Sequence, residues 1–238
     1  MDTKPEGNFF EKYGMPVALV IGLGLIAAAV YYGHGTGAPS AANNGQQQAA
    51  QAVDIKDVKT DGDPFVGSAN APVTMAFWFD YQCPFCKQFD QTVTSQIYDK
   101  YVKTGKVKIV FKDFQFLGDD SMTDAEFGRA MWEAYPDKFY EWYTAMFAAQ
   151  DDEGDVGFGD LDSVKALTAK IPGVDVNKVT DLVTKNKAKY DAAIMADRNE
   201  GATFGINGTP AFIIGTTMQS GAQPPATVEA LIDAELAK

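Results

Sequence analysis

The chain has 238 residues, a formal net charge of −12 and a single histidine. Hydrophobic residues make up 46% of it and aromatic residues 12%, which can fill the core of one ordinary domain and leaves room for additional segments. The negative charge argues against a nucleic-acid-binding surface, because phosphate backbones are bound by clustered lysine and arginine side chains.

The N-terminal residues predict a membrane segment. Residues 1–14 are polar and mixed in charge, and residues 15–32 form an uncharged apolar run that, at about 1.5 Å per residue, can span a bilayer core. Lys4 and Lys12 precede this run and the next lysine is Lys56, which favours a cytoplasmic N-terminus. The alternative is a cleaved signal peptide with its cleavage site in the small residues that follow. Both alternatives place the rest of the chain outside the cytoplasm.

Residues 33–60 predict a flexible linker. Up to Ala52 this stretch is rich in Gly, Ala, Asn and Gln and shows no periodicity, and it contains His34, which we interpret as a solvated residue. Residues 53–66 are expected to enter the folded part without regular structure. We therefore expect one domain over residues 61–238.

Both cysteines follow a predicted buried strand. The apolar run 73–79 is short and bounded by turn residues, as is typical of such strands. After Cys83 the apolar residues recur at spacings of three and four, which predicts a helix that begins at Pro84 and is capped by Gly105. Cys83 then lies at the helix N-terminus, and Cys86 lies one turn later on the buried face.

This placement predicts redox chemistry. Unpaired N–H groups and the helix dipole stabilise an anion at a helix N-terminus, and the thiolate is the nucleophilic form of cysteine. Cys86 is close enough to attack a mixed disulfide on Cys83, so we expect Cys83 to attack and Cys86 to resolve. A structural disulfide and a zinc site shared between two chains are the alternatives. A metal site within one chain is not predicted, because zinc needs about four ligands and the chain has 2 Cys and 1 His.

The rest of the chain predicts a mixed α/β fold. Residues 106–114 alternate apolar side chains with lysines and predict a strand, and residues 124–149 carry an aromatic helical pattern that Pro136 divides into two helices. The aromatic side chains are interpreted as core, with a peptide groove as the alternative. Further helices are expected at 161–171, 177–185, 188–201 and 225–236, and further strands at 211–214 and 217–220.

Two motifs carry a resemblance to a known family. Residues 80–86 read Asp-Tyr-Gln-Cys-Pro-Phe-Cys, and much later Gly208-Thr209-Pro210 precedes an apolar strand, where a proline cannot occupy a central ladder position. In this order, the motifs resemble the DsbA-like branch of the thioredoxin superfamily over roughly residues 61–238.

The resemblance implies a thioredoxin-like α/β fold with a helical insertion at about 120–204. It implies a cis bond between Thr209 and Pro210, with Pro210 beside the redox cysteines. It also implies that Thr209 contacts the backbone of the substrate.

Two positions depart from the family pattern. Many relatives carry an acidic residue where this chain has Phe77, so a buried proton acceptor for Cys86 is missing at the usual place. Pro84 and Phe85, the supporting residues between the cysteines, stand where strongly oxidising members have Pro-His, and a phenylalanine cannot stabilise a thiolate as a histidine does. The redox direction therefore stays open.

Three functions are compatible with these features. The first is a single-pass membrane protein whose extracytoplasmic domain, on the periplasmic or outer side, donates disulfides to translocated proteins through Cys83 and Cys86. The resemblance implies a quinone-linked membrane partner of the DsbB or VKOR type that reoxidises it. The second is a disulfide reductase or isomerase with the same site. The third is a non-enzymatic chaperone module that holds peptides. No cofactor and no nucleic-acid partner are predicted.

Overall fold

A mixed sheet organises the part of the chain that the computed structural model describes, residues 53–151 and 157–238. Its five strands in the described residues are β1 Phe65–Val66, β2 Val73–Phe79, β3 Val107–Asp113, β4 Ala211–Ile214 and β5 Thr217–Ser220. They lie in the order β1-β3-β2-β4-β5. β2 and β3 are parallel, and the other neighbouring pairs are antiparallel.

The helices surround this sheet. The first, α1, runs through residues 84–102; it is α-helical over Pro84–Phe89 and Ser95–Ile97 and π-helical over Asp90–Thr94 and Tyr98–Val102. The other helices are α2 Asp119–Ala134, α3 Pro136–Ala149, α4 Leu161–Thr168, α5 Val176–Thr203 and α6 Pro225–Leu236. Because α2 to α5 lie between β3 and β4 in the sequence, the predicted helical insertion is confirmed.

Successive side chains of β2 point to opposite faces of the sheet and therefore belong to two separate cores. Phe77 and Phe79 belong to the larger core, which includes both cysteines, whereas Trp78 belongs to the smaller core. The Trp78 indole donates to the Asp197 carbonyl of α5 at 3.0 Å. A Cβ at Gly201 would lie 2.8 Å from Trp78 Nε1, so glycine permits the close approach of α5.

A buried ion network attaches the helical insertion to the sheet. Arg129 of α2 donates to Asp63 at 2.8 Å, to Asp113 at 2.7 Å and also to Asp197. Lys112 of β3 contacts Asp63 and Asp197, each at 2.5 Å. These side chains are almost completely buried, and each cation is paired with several carboxylates, as burial of charge requires.

The prediction of two helices over 177–185 and 188–201 is wrong, because the structure has the single helix α5 there. Nothing in its first 25 residues breaks a helix, since the first glycine or proline after Val176 is Gly201. The polar side chain of Asn186, at the expected break, donates to Glu133 of α2 at 3.3 Å. The Asn186 side chain therefore forms no hydrogen bond with the backbone of α5 that could interrupt this helix.

The N-terminal predictions fall mostly outside the described residues. These are the membrane helix at 15–32 and the linker up to residue 52. In residues 53–151 and 157–238, no helix is long and apolar enough to cross a membrane. The stretch 53–66, expected to be irregular, contains a 3-10 turn at Ile55–Asp57 and the strand β1. A strand of two residues is too short to show an alternating pattern.

Candidate redox site

The two cysteines lie where β2 passes into α1. Cys83 is the N-cap residue of α1 and Pro84 is the first helical residue, as expected. Cys83 is 4% exposed and Cys86 is 0% exposed, and both are free thiols. Of the two cysteines, only Cys83 therefore has any exposed surface.

Asp80 shapes the turn that leads into the site. Its carboxylate accepts from the Gln82 N–H at 2.9 Å, from the Phe116 N–H at 3.0 Å and from the Ser121 hydroxyl at 2.8 Å. The Cys83 N–H donates to the Asp80 carbonyl at 3.1 Å. Asp80 thus fixes the backbone ahead of Cys83 and joins it to the end of β3. The role of Asp80 could have been predicted from the sequence, because an aspartate two residues before a turn amide is a known local signal.

The two thiols differ in acidity. The pKa of Cys83 is lowered to about 6, chiefly because the Cys86 thiol donates a hydrogen bond to its sulfur. The Thr209 side chain and the backbone N–H groups of Phe85 and Cys86 add to this effect, while burial opposes it. The pKa of Cys86 is raised well above its usual value because burial disfavours its thiolate. The pKa of Cys83 is lowered, as expected at a helix N-terminus, but the largest cause is the hydrogen bond from the Cys86 thiol.

The segment at Thr209 lies against the cysteines. The Thr209–Pro210 bond is cis, as the resemblance implied, and the Thr209 carbonyl oxygen is 3.5 Å from Cys83 Sγ. The Thr209 hydroxyl has no hydrogen-bond partner of good geometry among the described residues, and it favours the thiolates of both cysteines. Within the described ranges, the Thr209 N–H also makes no backbone hydrogen bond. A backbone donor and acceptor therefore lie beside Cys83.

Two exposed aromatic side chains flank this site. Phe85, between the cysteines, is 61% exposed, and Phe116 is 45% exposed. Phe116 is near because its N–H is bonded to Asp80, at the start of the turn into Cys83. Phe116 has no local signal in the sequence, because only the pairing of β2 with β3 brings it to this edge.

Comparisons with known proteins agree with this arrangement. A family model described as Thioredoxin matches residues 59–234. Disulfide bond formation protein D of Bacillus subtilis is 27% identical over 174 residues, which cover 72% of this chain and 76% of the relative.

Two solved structures share the fold. The crystal structure of oxidised BdbD from Bacillus subtilis matches with a TM-score of 0.71 at 22% identity, covering 79% of this chain and 99% of that chain. A periplasmic thioredoxin-like protein from Salmonella enterica serovar Typhimurium matches with a TM-score of 0.60 at 26% identity, covering 74% of this chain and 91% of that chain. The chain therefore belongs to the thioredoxin family, and it is a DsbA-like thiol:disulfide oxidoreductase.

Proposed function

We propose that this oxidoreductase donates disulfides to translocated proteins from the extracytoplasmic side of a membrane. In this reaction a substrate thiolate attacks the sulfur of Cys83 in the Cys83–Cys86 disulfide, and Cys86 leaves as a thiolate. A second substrate thiolate then attacks the mixed disulfide at the substrate sulfur. The substrate is oxidised to a disulfide, and the enzyme is left as a dithiol.

The acidity of Cys83 is the observation that carries this direction. A thiolate that the protein stabilises favours the reduced enzyme, and a stable reduced form makes the disulfide form a stronger oxidant. The pKa of about 6 at Cys83 lies well below that of an ordinary cysteine, about 8.5. Cys86 is protonated and buried, so it acts only on the sulfur beside it.

Thr209 and Pro210 are proposed as the substrate-binding residues. The free N–H and the carbonyl of Thr209 suit an extended peptide that pairs as an additional strand next to Cys83. Such backbone pairing accepts many sequences, as a general donor of disulfides requires. The exposed ring of Phe85 adds apolar surface for the side chains of an unfolded substrate.

The pKa of Cys83 is also compatible with one alternative, a reductase or isomerase. A pKa of about 6 lies nearer to that of the thioredoxin nucleophile, about 7, than to that of DsbA, about 3.5. The imidazole that would lower the pKa further is replaced by Phe85. This alternative uses the same two cysteines with electrons flowing in the opposite direction.

The membrane anchor at 15–32 and the reoxidising partner complete the proposal. The apolar run there, with lysines on its N-terminal side only, supports a single-pass anchor with the domain on the outer face. A similar periplasmic thioredoxin-like protein supports the same side. The partner proposed is a quinone-linked membrane protein of the DsbB or VKOR type. Protease added to spheroplasts should digest the membrane-bound chain; recovery from the cytosolic fraction would contradict this topology.

The direction is tested by equilibrating the whole chain with glutathione buffers and measuring its reduction potential. An oxidase should have a reduction potential above about −200 mV, in the region of protein disulfide isomerase at about −180 mV and DsbA at about −120 mV. The oxidised chain should also transfer its disulfide stoichiometrically to reduced, unfolded ribonuclease. A potential near about −270 mV, the thioredoxin value, together with no transfer, would instead establish a reductase.

A further inference from the structure

The residue directly before Cys83 has a completely buried side chain. Gln82 is 0% exposed, and its Nε2 donates to Asp124 Oδ2 of α2 at 2.6 Å and to the Phe158 carbonyl at 3.1 Å. The opposite amide orientation would place Oε1 against the Phe158 carbonyl oxygen, where neither atom can donate a hydrogen bond. A Cβ at Gly159 would overlap the Gln82 side chain, so the backbone packs directly on this amide.

Two oxygen atoms of this pair have no partner of their own. Gln82 Oε1 and Asp124 Oδ1 are both buried, and neither has a hydrogen-bond partner among the described residues. If Asp124 is ionised, both atoms are acceptors, so no hydrogen bond can form between them. A buried polar atom without a partner is unfavourable for folding. Two such atoms on side chains that are already in contact therefore indicate one shared cause.

One proton on Asp124 gives both oxygen atoms a partner. A protonated carboxyl has an O–H donor beside an acceptor oxygen, and an amide has an N–H donor beside its carbonyl oxygen. The two planar groups can therefore form two hydrogen bonds, from Gln82 Nε2 to Asp124 Oδ2 and from the Oδ1 hydroxyl to Gln82 Oε1. The second N–H of the amide already donates to Phe158. Both N–H groups and the carbonyl oxygen of Gln82 are then hydrogen-bonded.

The surroundings of Asp124 favour this proton. Asp124 is 0% exposed, and burial is the main reason that its pKa is raised well above the usual value. The negative charges of Asp80, in the turn after β2, and of Asp120, one turn earlier on α2, raise this pKa further. The hydrogen bond from Gln82 opposes them. Tyr81 also faces the Asp124 carboxyl, and burial raises the pKa of its phenol well above the usual value.

We propose that Gln82 and the protonated side chain of Asp124 form a hydrogen-bonded pair that positions Cys83 for attack. The Gln82 and Cys83 N–H groups donate to Asp80, at 2.9 Å and 3.1 Å, which fixes the backbone of the turn. The paired side chains attach the same turn to α2, and Cys83 Sγ lies 3.5 Å from the Thr209 carbonyl oxygen. Loss of the proton leaves two acceptor oxygens facing each other, so the turn is no longer held to α2.

The inference rests on the proposed attack by Cys83, and an infrared measurement tests the pair without involving the cysteines. The spectrum of the whole chain at neutral pH is compared with that of Asp124→Asn. The difference should contain the C=O stretch of a protonated carboxylic acid. The control Asp119→Asn, which removes an exposed carboxylate at the start of α2, should not change this band. A difference spectrum with carboxylate bands alone would overturn the proposal, whatever the role of Cys83.

The pH profile of attack tests the positioning role. The whole reduced chain is mixed rapidly with an excess of an uncharged fluorogenic peptide disulfide, from about pH 5 to about pH 10, beyond the range in which buried carboxyls titrate in proteins. The bimolecular rate should level off above the pKa of about 6 at Cys83 and then fall on the order of 10-fold as Asp124 ionises. A missing bimolecular phase would contradict attack by Cys83, while the infrared test of the pair stands.

Two variants separate the pair from other causes of an alkaline fall. Asp124→Asn presents the donor and acceptor of the protonated acid at every pH, so its rate should level off without falling. Gln82→Met removes the amide at similar length and should slow attack on the order of 10-fold at neutral pH, which tests the pair even if Asp124→Asn does not fold. A wild-type rate that does not fall, an equal fall in Asp124→Asn, or a wild-type rate in Gln82→Met would overturn the proposal.

Discussion

The acidity of Cys83 can be tested quantitatively by alkylating the reduced chain with iodoacetamide at several pH values. At pH 5, a thiol with a pKa of about 6 is about 9% thiolate, whereas an ordinary cysteine with a pKa of about 8.5 is about 0.03% thiolate. The more acidic thiolate is intrinsically about 13-fold less nucleophilic. Cys83 should therefore react about 20-fold faster than an unfolded cysteine at pH 5.

Fragment-ion mass spectrometry assigns the label to Cys83 or Cys86. We expect labelling of Cys83 with a midpoint near pH 6 and almost none at buried Cys86. In Cys86→Ala the midpoint should move above pH 6, because the hydrogen bond from the Cys86 thiol is the largest cause of the lowered pKa. A wild-type midpoint near about 8.5, or a midpoint that Cys86→Ala does not change, would refute this reasoning.

Three further variants and one control variant test other parts of the structure. Thr209→Val keeps the shape of the side chain but removes the hydroxyl that favours the thiolate, so the alkylation midpoint of Cys83 should rise; an unchanged midpoint would exclude this role. Asp90→Asn should gain stability over the wild type as pH rises from 4 to 8, by up to about 4 kcal/mol in urea unfolding. The folded-state pKa of about 7 lies above the ordinary value of 3.8, so the wild type loses stability as Asp90 ionises; a gain that does not depend on pH would contradict this. Arg129→Met should lower the free energy of unfolding by about 3–5 kcal/mol because it leaves buried carboxylates unpaired, whereas Lys103→Met, in an exposed pair, should lower it far less. Equal losses of unfolding free energy in Arg129→Met and Lys103→Met would show that the buried network stabilises the fold no more than an exposed ion pair does.

The elements next to the cysteines could be predicted because their signals are local. The apolar run of β2 matches its observed bounds, Val73–Phe79, and Pro84 begins α1 as its rigid ring predicts. Gly105 has the positive φ of 74° expected of a residue that ends a helix. Pro136 likewise separates α2 from α3.

Other features depend on residues distant in the sequence. Lys112 belonged to an alternating pattern of lysines, which suggests a solvated face, yet it is 1% exposed and contacts Asp63 and Asp197. Only the packing of α5 on the sheet brings these carboxylates to it. Asp90 likewise looks like an ordinary polar residue of a helix until Tyr143 of α3 covers it.

The division of roles between Cys83 and Cys86 is tested most directly by trapping mixed disulfides with substrate proteins in cells. Cys86→Ala should accumulate them through Cys83, because the thiol with the lowered pKa remains and the thiol that releases the substrate is gone. Cys83→Ala should accumulate almost none, since Cys86 is 0% exposed and its pKa is raised. Non-reducing gels followed by mass spectrometry identify the adducts. If Cys83→Ala trapped substrates as well as Cys86→Ala does, the assignment of attack to Cys83 would be contradicted.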